Sequence, residues 1–102
     1  MDDDRIALVA RALGHPARVR ILRLLTAQES CVGGEIFCHL PLAQSTVSQH
    51  LRILKEAGIV HATPHGTSMV YCIAEGPLSE LAQAVEGLAA GRPLCAAREE
   101  SE

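Results

Sequence analysis

Aromatic side chains are almost missing from this 102-residue sequence, which has one Phe, one Tyr and no Trp. Its core must therefore be aliphatic, which suits packed helices. The shortage also argues against single-strand nucleic-acid binders that stack bases on aromatic platforms. No apolar run approaches the roughly 20 residues of a membrane span, and no membrane partner is expected. The opening Met-Asp-Asp-Asp has neither the basic region nor the apolar stretch of a secretory signal. A cytoplasmic location follows as an expectation. Also lacking are a Cys-x-x-Cys pair, a nucleophile elbow and a Gly-rich phosphate loop after a strand. With little length for a deep pocket either, the chain reads as a non-enzyme made of one domain.

Positive charge is scarce as well, and the formal net charge is −3. Its distribution matters more than its sum. Residues 1–14 hold three Asp against two Arg, and residues 75–102 hold six Glu against two Arg. Residues 15–74 hold five Lys or Arg against three Glu, with all five His. A mildly basic middle between acidic ends can approach phosphate while the ends stay away.

The middle contains an unusual helix. Over residues 43–57, Val47, Leu51 and Leu54 fall on one side, with Gly58 at the end, while Ser45, Ser48, Gln49 and Arg52 fall on the other. A merely solvated face usually carries more Lys and Glu. Small hydroxyls, an amide and an arginine are instead what a helix needs to touch base edges and phosphates in a major groove.

The rest of the chain frames this helix. Ile6, Val9, Ala10 and Leu13 repeat at helical spacing over residues 3–13, and Gly14 ends that run. His15-Pro16 opens a second helix that buries Ile21, Leu22, Leu24 and Leu25 and leaves Arg18, Arg20 and Arg23 outside or snorkelling. Residues 28–34 read as a loop, 34–40 as two turns of helix and Pro41-Leu42 as a tight break. Two short helices joined by a tight turn make a helix-turn-helix. Residues 59–63 and 68–73 read as strands around a turn at 64–67, so a wing follows the reading helix. Gly76-Pro77 opens a last helix with an apolar face of Leu78, Leu81, Ala82, Val85, Leu88 and Ala89. The first and last helices serve either core packing or a two-fold dimer interface. The latter would set two reading helices one DNA turn apart, roughly 34–36 Å. Residues 1–92 are thus one winged helix-turn-helix domain, mainly α with a small β-hairpin, and 93–102 a flexible tail.

The stretch Ala12-Leu-Gly-His-Pro-Ala-Arg-Val-Arg-Ile-Leu-Arg-Leu-Leu25, followed by Leu42-Ala-Gln-Ser-Thr-Val-Ser-Gln-His-Leu-Arg-Ile-Leu-Lys-Glu-Ala-Gly-Ile-Val60 and then by residues 66–72, resembles the ArsR/SmtB family of ligand-responsive bacterial repressors. The likeness runs from about Ile6 to Leu88. It implies a homodimeric winged helix-turn-helix that holds double-stranded operator DNA until an inducer releases it. Carried onto this chain, the DNA-contacting positions are Ser45, Thr46, Ser48, Gln49, His50 and Arg52 on the reading helix, with His65, Gly66 and Thr67 at the wing tip. His50 projects near the buried side, so it either packs inside or meets a phosphate.

The resemblance also bears on the inducer. A zinc or nickel site of the family needs His and acidic residues on the last helix, which here offers Glu80, Gln83 and Glu86 and no His. The family's arsenite site uses a Cys-x-Cys word, which here reads Cys31-Val32-Gly33, with the second Cys replaced. In a cytoplasmic chain the four cysteines point to metal binding, redox chemistry or inert packing. On one straight helix, Cys31 and Cys38 would differ in rise by about 10 Å, too far to share a ligand or a bond. Cys72, in the second wing strand, or Cys95, after the last helix, can meet either of them. Three thiolates suit As(III) or another soft metal ion, and two suit oxidation. Cys38 beside Phe37 reads as a small core residue and Cys72 as a buried strand residue, each with a sensing role as the alternative. Cys31, in a loop before a helix, reads as a sensor. His39, His61 and His65 match no compact Cys/His zinc motif.

Together these readings predict a transcriptional repressor. It needs no cofactor and releases its operator when cysteine thiols bind a soft ion such as As(III) or are oxidised. The alternative is an interaction module or co-regulator that needs a partner subunit and senses no metal.

Overall fold

A computed structural model of the chain describes residues 1–91. Its order is α1 (Asp3–Leu13), α2 (Pro16–Thr26), β1 (Val32–Gly33), a 3-10 helix (Gly34–His39), α3 (Gln44–Glu56), β2 (Val60–His65), β3 (Ser68–Ile73) and α4 (Pro77–Ala90). Cys95 and the tail 93–102 lie outside the described residues.

Local chemistry sets the helix ends. The Asp2 carboxylate accepts a hydrogen bond from the Arg5 amide at 2.8 Å and caps α1. Asp3 and Asp4 in its first turn and Arg11 in its last complement the helix dipole. At α2 the capping acceptor is a histidine: Nδ1 of His15 takes the Ala17 amide at 3.0 Å, with Pro16 just inside the helix. The C-terminus of α3 closes as a Schellman motif, Ile59 N–H donating to the Leu54 carbonyl and Gly58 N–H to that of Lys55. Gly58 takes φ +80° there.

The core is aliphatic apart from Phe37. Val9, Ile21, Leu54 and Ile59 are fully buried, with Leu22, Leu25, Val47, Leu51, Val60 and Leu81 around them. Phe37 meets Tyr71 edge-on, with ring centroids 5.5 Å apart. As predicted, α3 buries Val47, Leu51 and Leu54 and α2 buries Ile21, Leu22 and Leu25, while Leu24 is half-buried.

Three features depart from the sequence reading. The sheet has three antiparallel strands in the order β1-β3-β2, because residues 32–33, expected in a loop, pair with Tyr71 and Val70. The wing turn is shorter, with β2 and β3 paired out to His65↔Ser68 across Gly66 and Thr67. Pro64 reads as a turn residue but sits in β2, an edge strand, where a missing N–H costs no ladder bond. Finally, residues 34–39 form a 3-10 helix with about three residues per turn. That period turns Phe37 and Leu40 inward together and leaves Cys38 exposed. The expectation that Cys38 is a core residue is thereby corrected.

The first and last helices pack on each other. Leu81 is buried and Leu78 half-buried, but Val85 is 53% and Leu88 76% exposed, and Leu8 and Met1 are also open. Core packing thus accounts for only part of the α4 stripe.

Candidate DNA interface and cysteine pair

The polar stripe of α3 faces outward. Ser45, Ser48, Gln49 and Arg52 are exposed and Thr46 is half-buried. Ala43, the residue before α3, supplies no side-chain cap, so the first amides of the helix keep free N–H groups. An open groove of about 660 Å³ runs along the stripe, lined by Ser45, Ser48, Gln49, Leu51, Arg52, Lys55 and Tyr71. Lys55 and Tyr71 were not among the sequence candidates. Lys55 continues the 45, 48, 52 spacing by one more step, so the helical period carried its signal. Tyr71 comes from β3, and no local pattern links it to α3. His65, Gly66 and Thr67 are exposed at the far end of the hairpin.

His50 takes the inward of its two expected positions. It is 9% exposed, its ring lies 4.5 Å from that of His15, and its Nδ1 accepts a hydrogen bond from the Arg18 guanidinium at 3.2 Å. It is therefore not on the outward stripe. Burial above all, then the neighbouring His15 and Arg18, holds its pKa below the usual 6.5. Arg18, expected outside or snorkelling, is half-buried and also donates to the carbonyls of Ala12 and Arg11. One guanidinium thus ties the end of α1 and the start of α2 to α3.

The second feature is the joining of two cysteines 41 positions apart. Cys31 and Cys72 form a disulfide, with Cα atoms 4.7 Å apart. Strand register explains it. Val32 pairs with Tyr71 and Gly33 with Val70, so the next position outward sets Cys31 opposite Cys72. A Cα separation near 4.5 Å marks a non-hydrogen-bonded antiparallel pair, whose side chains lie close on one face. The pair borders an open pocket of about 340 Å³, whose rim includes Thr26, Gln28, Glu29 and Ser30. Cys38 stands apart as an exposed free thiol. Among the described residues, no group of three or more His, Cys, Asp or Glu side chains is arranged to hold a metal ion, and no helix is long and apolar enough to cross a membrane.

Comparison with known proteins agrees with this architecture. The family model described as "Bacterial regulatory protein, arsR family" matches residues 15–62. An uncharacterized HTH-type transcriptional regulator of Mycobacterium tuberculosis is 41% identical over 71 residues, which cover 70% of this chain and 62% of that protein. The chain therefore matches less than two thirds of that relative's length. The HTH-type transcriptional regulator CmtR of the same organism is 36% identical over 102 aligned positions, covering 96% of this chain and 86% of CmtR. Among solved structures, the homodimeric winged helix-turn-helix DNA-binding domain of a possible ArsR-family regulator from Mycobacterium bovis superposes with a TM-score of 0.66. It is 30% identical, with 87% of each chain covered. These relatives are named as transcriptional regulators, not enzymes. On fold, motif and likeness alike, the chain belongs to the ArsR family of bacterial transcriptional regulators.

Proposed function

We propose that two copies of this chain grip duplex operator DNA in the cytoplasm and release it when Cys31 and Cys72 pass from free thiols to a bonded pair. The observation that carries this reading is the apposition of Cys31, just before β1, and Cys72, on the strand that leads away from the wing, with 4.7 Å between Cα atoms.

On this reading Ser45, Gln49 and Arg52 meet base edges. Thr46, Ser48, Lys55 and Tyr71 meet the phosphate strand that runs in the groove between α3 and β3. His65, Gly66 and Thr67 reach the neighbouring stretch of backbone. His50 positions α3 from inside and touches no DNA. The open stripe of Val85 and Leu88 on α4, together with Leu8 of α1, supplies the two-fold contact that sets the two reading helices one DNA turn apart. The middle of the chain carries the phosphate-facing charge, and the acidic ends stay clear of it.

Release needs a coupling between the two sites. A bond between Cys31 and Cys72 pins β1 to β3 and removes freedom from the strand that carries the wing. If that state disfavours the DNA-bound dimer by a few kcal/mol, occupancy falls strongly. Oxidation is favoured over soft-ion binding because the described residues bring two thiols together, whereas As(III) is better served by three.

The test is fluorescence anisotropy with duplex DNA selected from a random-sequence library, comparing reduced, hydroperoxide-treated and arsenite-treated protein. Reduced protein binds, with an affinity that falls steeply with salt, and hydroperoxide releases it. Cys31→Ser and Cys72→Ser hold DNA and ignore the oxidant. Release of both variants as readily as wild type would overturn the sensing role. Release by arsenite alone would move the pair to soft-ion sensing, and absence of DNA binding would favour the partner-dependent module.

A further inference from the structure

The same register that brings Cys31 to Cys72 brings a third group into line. In the sheet order β1-β3-β2, Cys72 sits on the central strand and pairs with His61 of β2 on its other side. Directly opposed residues of antiparallel strands share a face and hold their Cβ atoms about 4.5–5.5 Å apart. Cys31, Cys72 and His61 therefore form one row across the sheet: thiol, thiol, imidazole. Exposure along the strands agrees, since His61 and Cys31 are open while Val60 is buried and Ala62 half-buried to either side of His61.

The row is asymmetric. Cys72 has His61 as its directly opposed cross-strand partner. Cys31 lies a further strand away, roughly 9–10 Å from His61 at about 4.8 Å per strand. Cys31 instead has Glu29 two residues before it in the same loop, and that carboxylate lines the pocket shared by both cysteines. An imidazole beside a thiol stabilises the thiolate, and a carboxylate beside one opposes it. The α2 residues on the pocket, Leu25 and Thr26, carry no charge.

From this juxtaposition we propose that Cys72 is the site attacked by small hydroperoxides, that Cys31 resolves the product, and that His61 carries the proton. The proposal rests on the redox reading above. In the first step the imidazole of His61 takes the Cys72 thiol proton. The thiolate sulfur attacks the distal peroxide oxygen and forms an S–O bond as the O–O bond breaks. The alkoxide leaves and collects the proton from His61 as an alcohol. Sulfur is oxidised to a sulfenic acid and the peroxide is reduced. In the second step the Cys31 sulfur attacks the Cys72 sulfur. The S–S bond forms, the S–O bond breaks, and hydroxide leaves with the Cys31 proton as water. The open pocket beside the pair gives a small hydroperoxide room to enter. His61 is a surface residue, and replacing it removes no core contact.

The experiment uses full-length reduced protein, hydrogen peroxide as oxidant, dimedone as sulfenic-acid trap and peptide mass spectrometry as readout. Cys31→Ser accumulates the adduct on Cys72, and Cys72→Ser places little on Cys31. His61→Gln slows trapping of Cys72 at neutral pH about tenfold or more, the loss expected when a positioned proton acceptor is removed. It also slows alkylation of Cys72 by iodoacetamide, while alkylation of Cys31 is unchanged. Equal trapping on Cys31 in the Cys72→Ser variant, or an unchanged rate in His61→Gln, overturns this assignment and leaves the redox reading standing if the disulfide still forms and DNA is still released. If hydroperoxide modifies neither cysteine, the assignment and the redox reading fall together.

Discussion

The guanidinium of Arg18 donates to Nδ1 of His50 across 3.2 Å, joining α2 to the inner side of the reading helix. The bond requires an unprotonated Nδ1, and the environment enforces it, since burial and two cationic or ionisable neighbours lower the pKa of His50 from 6.5. The sign of the pH effect follows. Below pH 6.5 the unfolded chain takes a proton on this imidazole that the folded chain refuses, so stability present above pH 6.5 is lost as the pH falls. Urea midpoints of wild type should drop between pH 7.5 and pH 5.5, and His50→Gln should show a shallower drop. Equal slopes would remove His50 from the acid sensitivity of the fold.

On the DNA side the groove separates two kinds of contact. Arg52→Ala should weaken binding to selected duplex about tenfold or more, equivalent to roughly 1.4 kcal/mol, with the dimer intact by sedimentation. Lys55→Ala should weaken binding to all sequences alike and lower the salt slope by about one. An Arg52→Ala protein that binds like wild type would show that the outward stripe of α3 does not read DNA.

How far the sequence reached is visible in particular residues. The α3 stripes were legible because Val47, Leu51 and Leu54 keep the helical period and nothing tertiary competes with it. The strand at Val32–Gly33 was not legible. Two residues have no periodicity, and they are extended only because β3 offers them a free edge. The pairing of Cys31 with Cys72 inherits that opacity, since the register of β1 on β3 alone decides which residue faces which. Cys38 departs from its expected core position because the chain takes three residues per turn where the sequence pattern alone suggests an α-helix. His50 stands on the border between the stripes, and the partners that meet it on the inner side, Arg18 and His15, come from α2 and the residue before it, which no local pattern on α3 reveals.

The open end of α4 gives a third prediction. Leu88 is 76% exposed and Val85 53%, on the same helix as buried Leu81. Large apolar side chains in a row on a small domain mark a covered surface. Leu88→Glu should shift the protein from dimer to monomer in sedimentation velocity at micromolar concentration. Its operator affinity should fall much further than its thermal stability, because two half-sites must be held together. A variant that stays dimeric would place the two-fold contact elsewhere.

Gly58 gives the last prediction, and it separates two causes of strain. A Cβ at this position would come within 2.8 Å of Nη2 of Arg5, and the backbone φ is +80°. The first obstacle is the tip of a flexible side chain, which can move away cheaply. The second is intrinsic to any L-residue at the turn that closes α3, and costs about 1–2 kcal/mol. Gly58→Ala should therefore lower stability by about that amount in urea, and adding Arg5→Ala should recover little of it. Gly58→Asn, which tolerates the left-handed region better, should cost less than Gly58→Ala. A double variant restored to the stability of Arg5→Ala alone would mean that crowding by Arg5, and not the backbone, demands glycine here.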